Sequence, residues 1–149
     1  MKYSIYRSTN ELNNIYIVDE NGQRRTGKMK DDITIQYFGP TLSATFSSSD
    51  KKPRFITDFS LGYLSYKNKA TVIDDFTLTG GTLGLLLDFG VDVPINKNLS
   101  IEFMFAYTAG TLNQYKYQDN MQTTTIKLDK DNLESLSRID LSVGLRLSK

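Results

Sequence analysis

The sequence predicts an all-β fold: an antiparallel, up-and-down barrel whose strands each carry one apolar face long enough to cross a membrane. Three observations point there. Thr82 to Val93 reads TLGLLLDFGVDV, with Leu83, Leu85, Leu87, Phe89, Val91 and Val93 on odd positions and Thr82, Gly84, Leu86, Asp88, Gly90 and Asp92 between them. Strand side chains alternate between two faces, so this segment has a greasy face and a polar or glycine-rich face about ten residues long, the length of a spanning barrel strand. After the tight turn Pro94 to Asn98, the same parity returns in Leu99, Ile101, Phe103, Phe105, Tyr107 and Ala109. Finally, the connections between such segments alternate short and long, as when tight turns close one end of a spanning barrel and long loops the other.

Composition narrows the classes. The 149 residues form one domain, and a net charge of +1 gives no electrostatic case for nucleic acid. Hydrophobic residues make up 39% of the chain, with no run approaching the roughly 20 apolar residues of a spanning helix, a test that a barrel escapes because only alternate residues meet lipid. Cysteine is absent, so no disulfide, thiolate nucleophile or cysteine metal site arises here. Histidine is absent too, which removes the usual base near neutral pH and argues against an enzyme. The start, MKYSIYRSTNELNN, has no apolar signal-peptide core, so an exported barrel is expected to have upstream sequence.

Residues 1–30 read as an external loop region with a hairpin, Asn14 to Asp19 and Gln23 to Lys28 flanking the turn pair Asn21-Gly22. Residues 31–149 read as barrel strands. The first, Asp31 to Phe46, alternates through Ile33, Ile35 and Tyr37, then changes parity to Leu42, Ala44 and Phe46, which predicts a one-residue bulge near Phe38, Gly39 and Pro40. Phe55 to Tyr66 alternates Phe55, Phe59, Leu61 and Tyr63 against Asp58, Ser60 and Gly62, blurred by Ile56 and Leu64. The hairpin around Pro94 to Asn98 supplies strands three and four. The fifth, Leu136 to Leu147, sets Ile139, Leu141, Val143, Leu145 and Leu147 against Arg138, Asp140, Ser142, Gly144 and Arg146.

Ser47 to Arg54 and Pro94 to Asn98 are the short connections, and Lys67 to Thr79 and Asn113 to Ser135 the long external ones. Within the last, Tyr115, Tyr117 and Thr123 to Leu128 are placed to carry a hairpin beyond the membrane. Five strong strands imply about eight in a full barrel, hence about three upstream. An alternative count takes Lys2 to Ser8, Asn14 to Asp19 and Gln23 to Lys28 as strands in their own right. Tyr37, Phe46, Phe55, Tyr63, Phe89, Phe103 and Tyr107 fall where interfacial girdles would lie.

The combination of TLGLLLDFGVDV, the PINKN turn, LSIEFMFAYTAGTL and RIDLSVGLRLSK resembles the carboxyl-terminal part of small bacterial outer-membrane barrels, porin-like and of the outer-membrane protein A type, over roughly residues 31–149. That resemblance implies a Gram-negative outer membrane as the location, contact with its lipid, and insertion by the barrel-assembly machinery. The chain departs from the pattern in ending Leu147-Ser148-Lys149, without a terminal aromatic.

If the odd positions face lipid, a lumen charge cluster of Asp88, Glu102, Arg138, Asp140 and Arg146 follows, with Asp58 beside it. Pairing Val93 with Leu99 sets Glu102 across from Gly90 and diagonal to Asp88, and Arg146 is expected to bridge to Glu102 and Asp88. Arg24, Arg25 and Lys28 form an outer basic group suited to lipopolysaccharide phosphates. Asp74-Asp75 and the Asp129, Asp131, Glu134 run read as solvated loop charge, Gly80-Gly81 lacks phosphate-loop spacing, and no metal or cofactor is expected. The leading reading is a non-enzymatic barrel whose external loops serve surface interaction or envelope integrity. Beside it stand a porin-like narrow channel and a soluble lipocalin-like barrel with its faces inverted, Leu83, Leu85, Leu87, Phe103 and Phe105 then lining an apolar cavity. Loop partner and oligomeric state are not encoded in any motif.

Overall fold

A computed structural model describes residues 1–18, 22–47, 52–72, 74–119 and 122–147, with backbone only for 17 and 25. It is an antiparallel all-strand sheet without an α-helix among these residues. The strands are β1 (Lys2–Val18), β2 (Arg24–Gly39), β3 (Thr41–Phe46), β4 (Arg54–Val72), β5 (Asp74–Pro94), β6 (Leu99–Leu112), β7 (Gln114–Gln118), β8 (Thr123–Lys127), β9 (Glu134–Ser135) and β10 (Arg138–Leu147). Sequential neighbours pair along the path β1-β2-β4-β5-β6-β10, an up-and-down meander, with β3 continuing β2 along β4. The sheet is not closed: along their outer sides β1, β3 and β10 pair with no strand among the described residues. Side chains bridge that open side, since Arg138 donates to the Ser4 hydroxyl at 3.0 Å and lies 5.4 Å from the centre of the Tyr6 ring.

Strict alternation runs through β4 from end to end, but its chemistry inverts half-way. Up to Tyr63 the outward residues are Phe55, Thr57, Phe59, Leu61 and Tyr63, the apolar and aromatic ones exposed, and the inward ones include Arg54, Asp58 and Ser60 beside the buried Ile56. Above it the outward residues are Ser65, Lys67, Lys69 and Thr71, and Leu64, Tyr66 and Ala70 are buried inside. β5 repeats this, with Leu83, Phe89 and Val93 exposed below against Thr77, Thr79 and Gly81 above. The inner apolar cluster of Ile35, Tyr37, Leu64, Tyr66, Leu112 and Leu136 thus fills the concave side of the upper half, with Leu86, lower on β5 and opposite Ser60, as its foot. Outside, the lower apolar stripe from Leu83 to Val93 covers ten residue steps, ~25 Å in height for strands tilted about 40°.

At the inversion, one cross-strand row reads Gly39, Gly62, Gly84 and Gly110 on the inner face. Missing side chains here make room for large ones from above: Leu64 lies over Gly84 and Gly110, and Tyr37 over Gly39. A Cβ on Gly39 would lie 2.7 Å from Gly62 Cα, so the two backbones themselves occupy the space. Next to the row, Pro40 interrupts the ladder, having no N–H to donate. Its carbonyl instead accepts the Ser60 hydroxyl at 2.6 Å, and Ser60 also accepts from Tyr37 at 2.6 Å.

Several expectations are corrected. No residue is inserted near Pro40, because β2 and β3 hold one register along β4; the parity change from Ile35 and Tyr37 to Leu42 and Phe46 marks apolar residues moving from the inner to the outer face. Tyr37, expected in an interfacial girdle, is wholly buried inside, whereas Phe46, Phe55, Tyr63, Phe89, Phe103 and Tyr107 are exposed. Lys67 to Thr79 is no long loop, since β4 and β5 pair up to Val72 and Asp74.

Residues 1–30, read as loop with a hairpin, hold all of β1 and the upper part of β2. The hairpin does pair Val18 with Arg24, but Asn21 lies outside the described residues; its neighbour Gly22 has φ +76°. A bulge at Asn13-Asn14, with Asn14 at φ +59°, divides β1, and Lys2 to Ser8, a strand of its own in the alternative count, is the lower part of it. The hairpin over Tyr115, Tyr117 and Thr123 to Leu128 is present as β7 and β8.

Candidate functional site

The charged inner face of the lower half is built by register. Asp58, Asp88, Ala106 and Asp140 form one inward row across β4, β5, β6 and β10, and Arg54, Asp92, Glu102 and Gly144 form a second, nearer the short turn. Asp88 and Asp92 are wholly buried, so their charge must be met by partners rather than water. Lys2, at the start of β1, reaches across the concave side to the Asp88 carboxylate. Asp92 takes the Arg54 guanidinium at 2.5 Å and the Arg146 guanidinium at 3.7 Å. Arg138 donates to Asp140 at 2.8 Å. A cavity of about 490 Å³ lies between Asp58, Asp88, Glu102, Arg138 and Asp140 and the side chains of β1.

Arg146 therefore bridges to Asp92, not to Glu102 or Asp88. The reason lies in the turn: Ile95 and Asn96 both donate to the Leu99 carbonyl, at 2.9 and 3.1 Å, and the Asn96 side chain accepts from the Asn98 N–H at 2.9 Å. This pairs Val93 with Ile101 instead of Leu99, which puts Glu102 opposite Asp92 and two inward positions from Asp88. The close carboxylate pair is Asp58 with Asp88, directly opposite one another. Lys2, Arg54 and Asp92 were missed as partners. Asp92 and Arg54 stand on the inward parity, a signal present in the sequence, whereas Lys2 is brought in only by the curl of the sheet.

What this arrangement does is hold charge. Four cations, Lys2, Arg54, Arg138 and Arg146, face five carboxylates, Asp58, Asp88, Asp92, Glu102 and Asp140, in a near-balanced interior. One oxygen of each of Asp58, Asp88 and Asp92 has no hydrogen-bond partner, nor do the buried hydroxyls of Ser100 and Thr108. No group of three metal-ligating side chains occurs among the described residues. Above the glycine row the concave side is filled by the apolar cluster, where burial pushes the Tyr66 phenol above its ordinary value.

Leu83, Leu85, Leu87, Phe103 and Phe105, which a soluble ligand-binding barrel would turn inward, lie on the outward parity, with Leu83, Phe103 and Phe105 exposed. Arg24 and Lys28 stand on the upper part of β2, where the Lys28 ammonium faces Glu11 at 3.7 Å; the Arg25 side chain lies outside the described residues. No protein-family model, curated protein or solved structure matches this chain.

Proposed function

We propose that this chain is a non-enzymatic outer-membrane barrel protein that crosses the bilayer with its lower half and presents its upper half outside as a surface for interaction or envelope integrity. One observation carries the reading: along single unbroken strands, apolar-out and charged-in gives way at the glycine row to polar-out and apolar-in. A strand wholly in water has no reason to expose Leu83, Phe89 and Val93 while burying Asp88 and Asp92. The ~25 Å height of the outer stripe matches a bilayer's apolar band. Paired charges and small residues filling a narrow interior are what an eight-stranded wall accommodates. In a bilayer the open sides of β3 and β10 must be paired, because nothing there satisfies bare backbone groups.

Because the chain has no cysteine, single-cysteine spin labels test this directly. After refolding into phosphatidylcholine vesicles, labels at Leu85, Phe89 and Val91 are expected to be accessible to oxygen and shielded from a water-soluble nickel chelate. Labels at Lys67 and Thr77 should show the reverse. Equal nickel access at both sets, with the protein free in solution, would sink the membrane reading and favour a soluble barrel.

A further inference from the structure

On the outer face, the ladder just above the apolar stripe sets Arg7, Thr34, Lys67, Thr79, Lys116 and Thr125 in one cross-strand row. The next position down on β8 adds Lys127. Neither Lys67, Lys116, Lys127 nor Arg7 has a carboxylate within ion-pair distance among the described residues. The nearest outward carboxylate in the ladder, Asp32, stands a row higher and is engaged by Lys30 at 3.1 Å.

This basic row borders a depression of about 490 Å³. Gly81 forms its floor, Tyr63 closes its lower side, and Lys67 and Lys116 stand above. A Cβ at Gly81 would collide with the Tyr63 phenol, so the glycine keeps both the ring's position and the hollow.

We propose that this hollow binds the phosphate of an anionic membrane lipid, with Lys67 and Lys116 as the cationic clamp and the hydroxyls of Thr79 and Thr125 as donors. The inference rests on the membrane reading and gives it a lipid preference. Height favours a lipid as the source of the phosphate. Lys67 is four residues above Tyr63, the last aromatic of the stripe, about 10 Å along the membrane normal. The headgroup layer is roughly 5–8 Å thick, and lysine stems bend toward it. Arg24 and Lys28, by contrast, lie ten or more residues above Phe38, about 25 Å beyond the stripe. The collar, rather than the hairpin tip, is at phosphate height.

The test uses the full chain refolded in neutral maltoside micelles, with native mass spectrometry counting retained lipid. The wild type is expected to keep phosphatidylglycerol about tenfold better than phosphatidylcholine, with the preference lost in 0.5 M salt. K67Q/K116Q should erase the preference, K67R/K116R should keep it, and K28Q should leave it unchanged. Insertion into micelles without any anionic preference, or a preference that survives K67Q/K116Q, overturns this inference alone. Inorganic phosphate displacing the lipid at equal concentration would assign the hollow to a free anion and overturn it too. A chain that remains outside the micelles overturns the membrane reading and this inference with it.

Discussion

The halves of the sheet on either side of the glycine row are joined by β4 and β5, which run through both with one alternation, yet the halves solve opposite problems. Above the row, β4 buries Leu64 and Tyr66 and shows Lys67 and Lys69 to the outside, as any water-soluble sheet would. Below it, the same strand shows Phe55, Phe59 and Leu61 and turns Arg54 and Asp58 inward. Period two fixes which residues share a face and says nothing about which face is wet. That information lies in where the chemistry on a fixed parity changes. Here it changes at the level of Gly39, Gly62, Gly84 and Gly110, where side chains are removed so that the upper core can end against backbone.

The largest expected effect separates the halves by their surroundings. Leu64 is wholly buried and lies over two glycines, so Leu64→Ala would leave a cavity that rigid backbone cannot fill, and should cost about 3–4 kcal/mol in denaturant unfolding of the vesicle-refolded protein. Leu87, mid-way along the outer stripe, tests the other half. Leu87→Lys is expected to cost about 2–4 kcal/mol in bilayers and well under 1 kcal/mol were that face in water. Equal tolerance of Leu87→Lys in both settings would break the comparison at its base.

Backbone crowding at the row itself is the next lever. A Cβ at Gly62 would meet the Phe38 carbonyl and lie 2.7 Å from Gly39 Cα, neither of which can rotate away. Gly62→Ala should therefore cost about 2 kcal/mol. Gly144→Ala is the control below the row: a Cβ there meets nothing within 4 Å, and the loss should stay below about 1 kcal/mol. Similar losses at both would mean that the row has no special role in holding the halves together.

Much of the lower half was legible in the sequence because it is the exception. Leu83 to Val93 and Ile139 to Leu147 carry long apolar stripes, so their faces and the inward placement of Asp88, Glu102, Arg138, Asp140 and Arg146 follow from parity. The upper half was obscured for a physical reason. Lys67 to Thr79 sets Asn68, Ala70 and Leu78 inward against Lys69, Thr71 and Thr77, so few large apolar residues mark the strand and it resembles loop. Leu64, which looked like noise in an outward pattern, is the first inward residue of the upper core. Register was the other gap, since the Asn96 side chain and the paired donation to Leu99 moved Glu102 by two positions, and no periodicity encodes that.

The smallest effect concerns the wet outer face of the upper half. Asp32 accepts the Thr9 hydroxyl at 2.6 Å and is engaged by Lys30, and these contacts hold its carboxyl below the ordinary value. A folded-state pKa below the unfolded one, about 3.9, makes a contribution to stability that is present above that value and lost as pH falls through the folded pKa. Because the group is exposed, the effect on unfolding should be slight and is better read from the residue itself. Carboxyl-carbon NMR titration is expected to show Asp32 rising toward the free value in Thr9→Val, the hydroxyl being the largest single cause of the shift, and also in Lys30→Gln. No movement in either variant would mean that the ladder between β1 and β2 is not held at this height, and that the upper half is ordered by its inner apolar cluster alone.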